Sequence, residues 1–439
     1  MMPPLQDSAS LLTRRPIDYS FCSLVTKPAL YQAMVQSFAA AGFDAESCEF
    51  IHVDNTLASV ADGYSGLNQM IAKAEGRYVI LAHQDLLAIE TKAKLDSVLV
   101  RLTQVDPAWA VAGNAGCDAL GRQYTRITDR HGFDVKFPGD AARVMSLDEN
   151  FIILRKDAAL GFSEDLRGFH LYGTDIVFQA HLRGRSAYAV DFHLEHLGAG
   201  QIDQSFVTCM QAFQRKYRQF GPRLQVKTPS TRVSLGARSF GTWLWQRKLA
   251  RRVARGETAA WSHKLKRLTA ALADLWYRRV LRKAYRLDGL ALDLPADAPL
   301  ALRKALRRGR HLQGEAAMIA KHLRPDLAVV LQGSALSLLQ GHIRRATGGN
   351  HDPILQQSLE ANMPKGGFAL VTAQANLLYD LLQDRPDVLA PCSVIILSLH
   401  PADLHDSGRS VSGFLASARH NGFAVVETDG AAVVLRRAD

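Results

Sequence analysis

Long apolar runs are absent from this 439-residue sequence. Nowhere do about 18 uninterrupted apolar residues occur, the length that a membrane-spanning helix needs. The first 17 residues, MMPPLQDSASLLTRRPI, contain no apolar core of a secretory signal. We therefore expect a protein that is made and kept in the cytoplasm, with residues 1–17 as a flexible lead.

Cysteine is also scarce. The five cysteines are scattered, odd in number and without CxxC spacing, so they indicate neither a disulfide framework nor a zinc site. Cys22 lies in a predicted strand and is expected to be a small core residue.

Acidic residues are scarce in one segment. The formal net charge is +11, and between residues 238 and 286 fourteen lysines or arginines accompany two acids, Glu257 and Asp274. Tryptophans recur there at helical spacing, and a basic amphipathic helix that carries tryptophan is typical of an anionic membrane surface. A pair of solvated bridging helices is the alternative. Nucleic acid is not expected as a partner, because no nucleic-acid-binding motif accompanies the charge.

The stretch YVILAHQDLL, residues 78–87, organises the N-terminal half. Its apolar run lacks alternation, which predicts a strand buried on both faces, so His83, Gln84 and Asp85 should follow the carboxyl end of a parallel strand. Open α/β sheets bind ligands at that edge. Alternatively, Asp85 only caps the helix predicted over LLAIETKAKLDSVLVRL.

The preceding residues predict the rest of a doubly wound parallel sheet. DYSFCSLVT and CEFIHVDNT are strands, and ALYQAMVQSFAAAGF and SGLNQMIAKAEG are helices between them. Two of the strands are followed by an aspartate, Asp54 and Asp85.

The order VDNT…ADGYSGLNQMIAKAEGRYVILAHQD resembles the nucleotide-sugar half of GT-A glycosyltransferases of family 2, in the branch named after a streptomycin-biosynthesis protein. The resemblance implies that Asp54, with Asn55, contacts the nucleotide. It also implies that His83, Gln84 and Asp85 stand at the DXD motif, where Asp85 holds a divalent metal, Mn or Mg, on the diphosphate. His83 replaces the first aspartate of that motif.

A second stretch, residues 145–200, is rich in acids and histidines. ENFIILRK is predicted as a strand, TDIVFQAHLRG as a helix closed by Gly184, and SAYAVDFHLEHLG as a strand entering a turn. A solvated rim would explain such a cluster equally well.

FSEDLRGFHLYGTDIVFQAHLRG and HLEHLGAG resemble the H-x-Y-x-x-D segment and the closing element of the same family. The superfamily's Glu-Asp pair would fall on Tyr172 and Gly173, so the resemblance leaves the catalytic base to Asp175, or to Asp165 or Glu164 in the preceding loop. His196 is a second candidate metal ligand, or else a histidine hydrogen-bonded within a turn.

Between these stretches, Gly113 and Gly116 of GNAG predict a tight turn rather than a phosphate cradle.

The C-terminal part alternates strands and helices after the Pro- and Asp-rich linker DLPADAPL, and it closes with a hairpin around Asp429. GEAAMIAKHLRPDLAVVLQGSALSLL and VIILSLHPADL weakly resemble FkbM-type methyltransferases. The cofactor turn keeps only Gly333, and FALVTA ends without an acid. We therefore expect a remnant fold that does not bind S-adenosylmethionine.

Together these patterns predict four segments: the lead (1–17), a GT-A-like glycosyltransferase domain (18–232), basic amphipathic helices (233–290) and a smaller Rossmann-like α/β domain (291–439). The expected function is transfer of a sugar from a nucleotide-diphosphate sugar to a hydroxyl of a carbohydrate or lipid-linked acceptor. The resemblance implies an inverting, metal-assisted reaction in surface polysaccharide or glycolipid assembly, with peripheral binding to the inner face of the cytoplasmic membrane. The alternatives are a catalytically silent scaffold and a bifunctional glycosyltransferase and methyltransferase.

Overall fold

The computed structural model describes residues 17–130, 132–136, 139–198, 203–218, 223–228, 232–236, 247–248, 250–251, 253–255, 285–287, 290–292, 312–332, 339–348, 353–356, 364, 367–429 and 431–438. The chain divides into two compact units, Met1–Ile127 with Lys136–Arg251 and Thr128–Val135 with Arg252–Asp439. The domain boundaries expected from the sequence stay predictions, and the basic helices expected over 233–290 lie largely outside the described residues. No helix among the described residues is long and apolar enough to cross a membrane.

The N-terminal half contains the following strands: β1 Tyr19–Val25, β2 Cys48–Asp54, β3 Tyr78–Ala82, β4 Leu86–Ala88, β5 Trp109–Gly113, β6 Ala115–Cys117, β7 Gln123–Asp129, β8 Gly132–Lys136, β9 Ala141–Arg143, β10 Ser146–Leu147, β11 Phe151–Arg155, β12 Ser186–Val190, β13 Leu194–His196, β14 Arg223–Lys227 and β15 Arg232–Gly236. Its helices are α1 Pro28–Ala40, α2 Ser65–Lys73, α3 Lys92–Val105, α4 Tyr172–Leu182 and α5 Gln204–Tyr217.

The main sheet has seven strands in the order β2-β1-β3-β11-β5-β12-β9. β1 is parallel to β2 and β3, and β12 is parallel to β5. β11 runs antiparallel to both β3 and β5, and β9 runs antiparallel to β12. The α/β class is confirmed, but the sheet is mixed rather than wholly parallel.

Apolar cores cover both faces of this sheet. On one face, Phe38 of α1 and Leu95 of α3 pack with Trp109 of β5. On the other, Met70 of α2 and Ile176 of α4 join a separate cluster. Burying a leucine, isoleucine, methionine or phenylalanine side chain stabilises a fold by about 1.5–3 kcal/mol. Helices packed on both faces confirm the doubly wound arrangement.

A second sheet has the order β10-β6-β7-β13-β4, with β8 beside β7. The observed strands of the two sheets correct three local predictions. Leu86–Ala88 is a strand, so α3 begins at Lys92 and its N-cap is Thr91 rather than Asp85. LEH forms its own strand, β13. Gly113 and Gly116 lie in strands, where an added Cβ would approach a backbone carbonyl oxygen at 2.8 and 2.5 Å, so close packing rather than a tight turn requires glycine.

The described elements of the second unit are β16 Tyr285–Leu287, β17 Leu290–Leu292, α6 Gln313–His322, β18 Ala328–Gln332, α7 Gln340–Ala346, β19 Ile354–Gln356, β20 Phe368–Thr372, α8 Ala375–Asp384, α9 Pro386–Leu389, β21 Cys392–Ser398, α10 Pro401–Asp406, α11 Val411–His420, β22 Phe423–Asp429 and β23 Ala432–Arg437. Six strands form a sheet in the order β19-β18-β20-β21-β23-β22, whose first four strands are parallel. Asp429 pairs with Ala432, which confirms the predicted hairpin. Gly333 and the rest of the expected cofactor turn lie outside the described residues.

Buried polar side chains occupy the carboxyl ends of β18 and β20. Thr372 Oγ1 donates to Gln332 Oε1 at 2.8 Å, and Gln332 Nε2 donates to Gln374 Oε1 at 3.0 Å. Gln332 and Thr372 are fully buried. These side chains thus satisfy one another's hydrogen-bonding groups. They lie at the strand ends where a Rossmann-like sheet binds its ligand.

Candidate functional site

The site is positioned by the strand that precedes His83, Gln84 and Asp85, a segment called HQD below. All five residues of β3 are buried, and the chain leaves the sheet at His83 beside the carboxyl end of the parallel strand β1. A cavity of about 260 Å³ opens there, and its lining includes Thr26, Asn55, Asp85 and Tyr172. The predicted position of HQD at the carboxyl edge of a buried strand is confirmed.

Three potential metal ligands converge in this place. His83, Asp85 and His196 each offer one atom, and the three atoms lie within 4.8 Å of one another. Antiparallel pairing of β13 with β4 sets His196 opposite Leu86, so that His196 Nε2 lies 3.3 Å from Asp85 Oδ1 and 3.5 Å from His83 Nδ1. Two imidazole nitrogens and one carboxylate oxygen fit a divalent transition ion better than Mg²⁺, which prefers oxygen ligands.

Tyr172 determines which nitrogen of His83 faces the cluster. The Tyr172 hydroxyl donates its single proton to the backbone carbonyl of Glu149 at 3.0 Å, because a carbonyl can only accept. The same oxygen lies 3.0 Å from His83 Nε2 and therefore accepts from it. The proton on Nε2 leaves the Nδ1 lone pair directed toward His196.

The charge states of His83 and Asp85 also suit metal binding. Burial, followed by the neighbouring His196, lowers the pKa of His83 to about 4, so the ring is neutral at pH 7. A histidine must be neutral to bind a metal. Burial raises the pKa of Asp85, but its hydrogen bond and charge interaction with His196 outweigh that effect and leave the pKa below its usual value.

Gly198 leaves room for the Asp85 carboxylate. A Cβ at this position would collide with Asp85 Oδ2. The neighbouring Leu197 N–H donates to the Asp85 carbonyl at 3.0 Å. This bond holds the residues after β13 against HQD.

Two of the predicted nucleotide-binding side chains bond to the protein itself. Gln84 Oε1 accepts from the N–H groups of Thr26 and Lys27 at 2.9 and 2.7 Å, which ties HQD to the start of α1. Asn55 Oδ1 accepts from Val60 and Ala61 at 3.0 and 3.2 Å and so organises the loop after β2.

Asp54 is exposed at the end of β2. Hydrogen bonds from Thr56 hold its pKa below the usual value, so the carboxylate is ionised at neutral pH. An ionised, exposed carboxylate there can accept hydrogen bonds from a ribose or a base.

The three candidate bases do not line the cavity at HQD. Asp175 is fully buried, and its carboxylate accepts from Ser163 Oγ at 2.7 Å, from Ser163 N–H at 2.8 Å and from the Tyr217 hydroxyl at 2.5 Å. Burial raises the pKa of Asp175 despite these bonds. Asp165 is exposed and pairs with Lys216 at 2.5 Å, and Glu164 is exposed in the same loop.

Sequence reasoning missed Glu149. Its carboxylate accepts from the N–H groups of Leu171 and Gly173 at the start of α4, and burial, followed by the charge of Asp148, raises its pKa to about 8. The N-cap residue Leu171 has a left-handed backbone, φ 65°, and no side-chain cap of its own. Glu149 thus caps α4 from 22 positions upstream, and no local sequence signal marks that contact.

Comparisons with known proteins complete the description of the site. No family model matches the sequence. The chain is 36% identical over 225 residues to "ATP synthase subunits region ORF 6" of Fuscovulum blasticum, which is 50% of this chain and 90% of that protein.

Solved structures are similar at a low level. TarS of S. aureus matches 46% of this chain at a TM-score of 0.31 and 11% identity, and the chain spans 40% of its length. The mannosyltransferase PcManGT from Pyrobaculum calidifontis, in complex with GDP-Man and Mn²⁺, matches 46% of this chain at a TM-score of 0.30 and 11% identity, with 62% of its own length covered.

Proposed function

We propose that this chain, which belongs to the family of the ATP synthase subunits region ORF 6 protein of Fuscovulum blasticum, transfers a sugar from a nucleotide-diphosphate sugar to a hydroxyl acceptor. That family name states no activity, so the proposal rests on the site. The observation that carries it is the convergence of His83, Asp85 and His196 within 4.8 Å at the carboxyl edge of a doubly wound sheet. The sequence resemblance to GT-A enzymes implies a diphosphate at the same edge.

His83, Asp85 and His196 would hold the metal, and their two nitrogens favour Mn²⁺ over Mg²⁺. When bound, the ion supplies positive charge against the charge that develops on the leaving diphosphate. Tyr172 keeps the His83 lone pair directed at the ligand cluster, Gly198 gives the Asp85 carboxylate its space, and Asp54 would accept hydrogen bonds from the nucleoside.

A carboxylate must accept the proton of the acceptor hydroxyl as that oxygen attacks the anomeric carbon from the face opposite the diphosphate. The resemblance implies Asp175, with Asp165 or Glu164 as alternatives. We add Glu149, whose carboxyl lies at the start of α4 next to Tyr172 of the cavity wall; with a pKa of about 8 it is ionised, and able to accept a proton, mainly above that pH.

The test of the metal site is calorimetric titration of UDP- and GDP-sugars with and without Mn²⁺. We expect Mn²⁺-dependent binding that is lost in Asp85→Asn and in His196→Gln, while Asp157→Asn, an exposed carboxylate outside the site, binds like the parent. Ligand at about 100 Kd should stabilise the fold by about 2.7 kcal/mol. Unchanged binding by Asp85→Asn would reject the assignment.

A catalytically silent scaffold is the second candidate. It is favoured by the Asp175 carboxylate, whose hydrogen bonds are all to the protein interior. Binding of a nucleotide sugar without hydrolysis or transfer to any offered acceptor would select it. The assembly pathway, peripheral membrane binding and methyl transfer remain predictions from sequence.

A further inference from the structure

We infer that a second cavity of the first unit binds a small ligand that combines an anionic group, phosphate or carboxylate, with an apolar or ring body. This cavity lies among the β6–β7 connection, β9 and the carboxyl end of α4, and its volume is about 610 Å³. Ligand sites in proteins commonly have volumes of about 300–1,000 Å³. Nothing in the proposed sugar transfer uses it.

Positive charge dominates its lining. Arg122, Arg143 and Arg185 contribute to the wall, against a single acid, Asp118. Asp118 is already neutralised, because Arg122 Nε lies 2.6 Å from its Oδ2 and the Tyr124 hydroxyl donates to the same oxygen at 3.1 Å. Among the lining residues, Arg143 and Arg185 are therefore not matched by a further acid, and guanidinium groups bind phosphate and carboxylate through paired hydrogen bonds.

An unsatisfied polar atom belongs to the same wall. His181, in the last turn of α4, also lines the cavity, and its Nε2 is buried with no hydrogen-bond partner among the described residues. A buried polar atom left without a partner costs about 1–3 kcal/mol. A ligand that reaches His181 would remove that cost.

The remaining wall is apolar. Ala142, Val144 and Met145 line it together with the ring of Tyr124, and the exposed Leu120 stands at its edge. A bare inorganic ion would leave this surface in contact with water, whereas a ligand with a ring or hydrocarbon body would cover it. The combination of an apolar wall and two arginines without a matching acid in the lining defines the ligand class.

Helix α4 separates this cavity from the one at HQD. Tyr172, its first residue, lines the HQD cavity, and His181, nine residues later, lines the second. Nine residues of helix span about 13.5 Å. The two cavities can therefore be loaded and tested separately.

The test is calorimetric titration of the full chain, in EDTA, with glucose 6-phosphate, glucuronate and neutral glucose. We expect the two anionic sugars to bind and glucose not to bind. Arg143→Ala and Arg185→Ala should each weaken binding at least about tenfold, because hydrogen bonds to charged groups contribute about 1.5–3 kcal/mol. Arg215→Ala, on the exposed face of α5, is the matched control and should bind like the parent.

The relative affinities for the two anionic sugars identify the anionic group of the ligand. Tighter binding of glucose 6-phosphate than of glucuronate identifies a phosphoryl ligand, and the reverse order identifies a uronate. Asp85→Asn should retain this binding, which separates the second cavity from the proposed metal site. Equal binding of glucose, no binding of either anion, or unchanged affinity in both arginine variants with unaltered thermal unfolding would overturn the inference.

Discussion

At the scale of single residues, the chemistry of the HQD cluster depends on a tautomer. Because the Tyr172 proton goes to the Glu149 carbonyl, the hydroxyl cannot donate to His83 and can only accept from its Nε2. HQD in the sequence was sufficient to predict where the cluster lies. It could not reveal that Gln84 and Asn55 bond to the backbone, since their partners, Thr26 and Ala61, are fixed by the fold.

Tyr172→Phe should weaken Mn²⁺-dependent binding of the nucleotide sugar about 10- to 100-fold, because residues that orient a ligating histidine contribute that much to metal affinity. The fold should persist, since the ring remains. Titration against the parent measures the effect, and Tyr188→Phe, which loses a hydroxyl bonded to Asp106, is the control. Equal affinity in Tyr172→Phe and the parent would show that the hydroxyl does not orient His83.

At the scale of elements, two carboxylates hold helix α4 in place, one from outside the helix and one from the helix itself. Glu149 accepts from its first N–H groups, and Asp175 on the helix itself accepts from Ser163 in the preceding loop and from Tyr217 of α5. These contacts suit a helix whose first residue, Tyr172, contacts His83 of the candidate metal site.

Asp175→Asn should lower the free energy of unfolding by about 1–3 kcal/mol, because an amide nitrogen would face donors that the carboxylate now satisfies. Asp165→Asn, with a side chain 63% exposed, should change stability by less than about 0.5 kcal/mol. Chemical denaturation measures both.

Glu149→Gln should reduce turnover about 100-fold with nucleotide binding intact. Full activity in Glu149→Gln, together with a stable but inactive Asp175→Asn, would return the role of base to Asp175.

The sequence predicted most long elements of the first unit but not its short strands. LLAIETKAKLDSVLVRL has a continuous helical pattern, yet Leu86–Ala88 pairs with Leu194–His196. Three residues carry too little periodicity to distinguish a strand from a helix turn. The partner lies more than 100 positions away, so only the tertiary fold decides the outcome, and that same pairing delivers His196 to Asp85.

At the scale of the whole molecule, acid should destabilise the fold through buried histidines. Burial, followed by Arg126, lowers the pKa of His193 to about 3. Above the unfolded value of about 6.5 both states are neutral. As the pH falls below it, the unfolded chain binds a proton that the folded chain does not, so stability is present above pH 6.5 and is lost on acidification.

His193→Gln should therefore flatten the dependence of unfolding free energy on pH between about 6 and 4 by about 1.4 kcal/mol per pH unit, one proton's linkage. Chemical denaturation at several pH values measures the slope. The same slope in parent and variant would mean that His193 titrates alike in the folded and unfolded chains.

The position of β11 has a consequence for biosynthesis. It lies between β3 and β5 in the finished sheet, although residues 114–155 are made after β5 is complete. At about 5–20 residues per second, translating those 42 residues takes roughly two to eight seconds. During that interval β3 and β5 each expose an unpaired edge, a template for association with other chains. Nascent chains that end before Phe151 therefore carry two strand edges that β11 covers in the finished sheet.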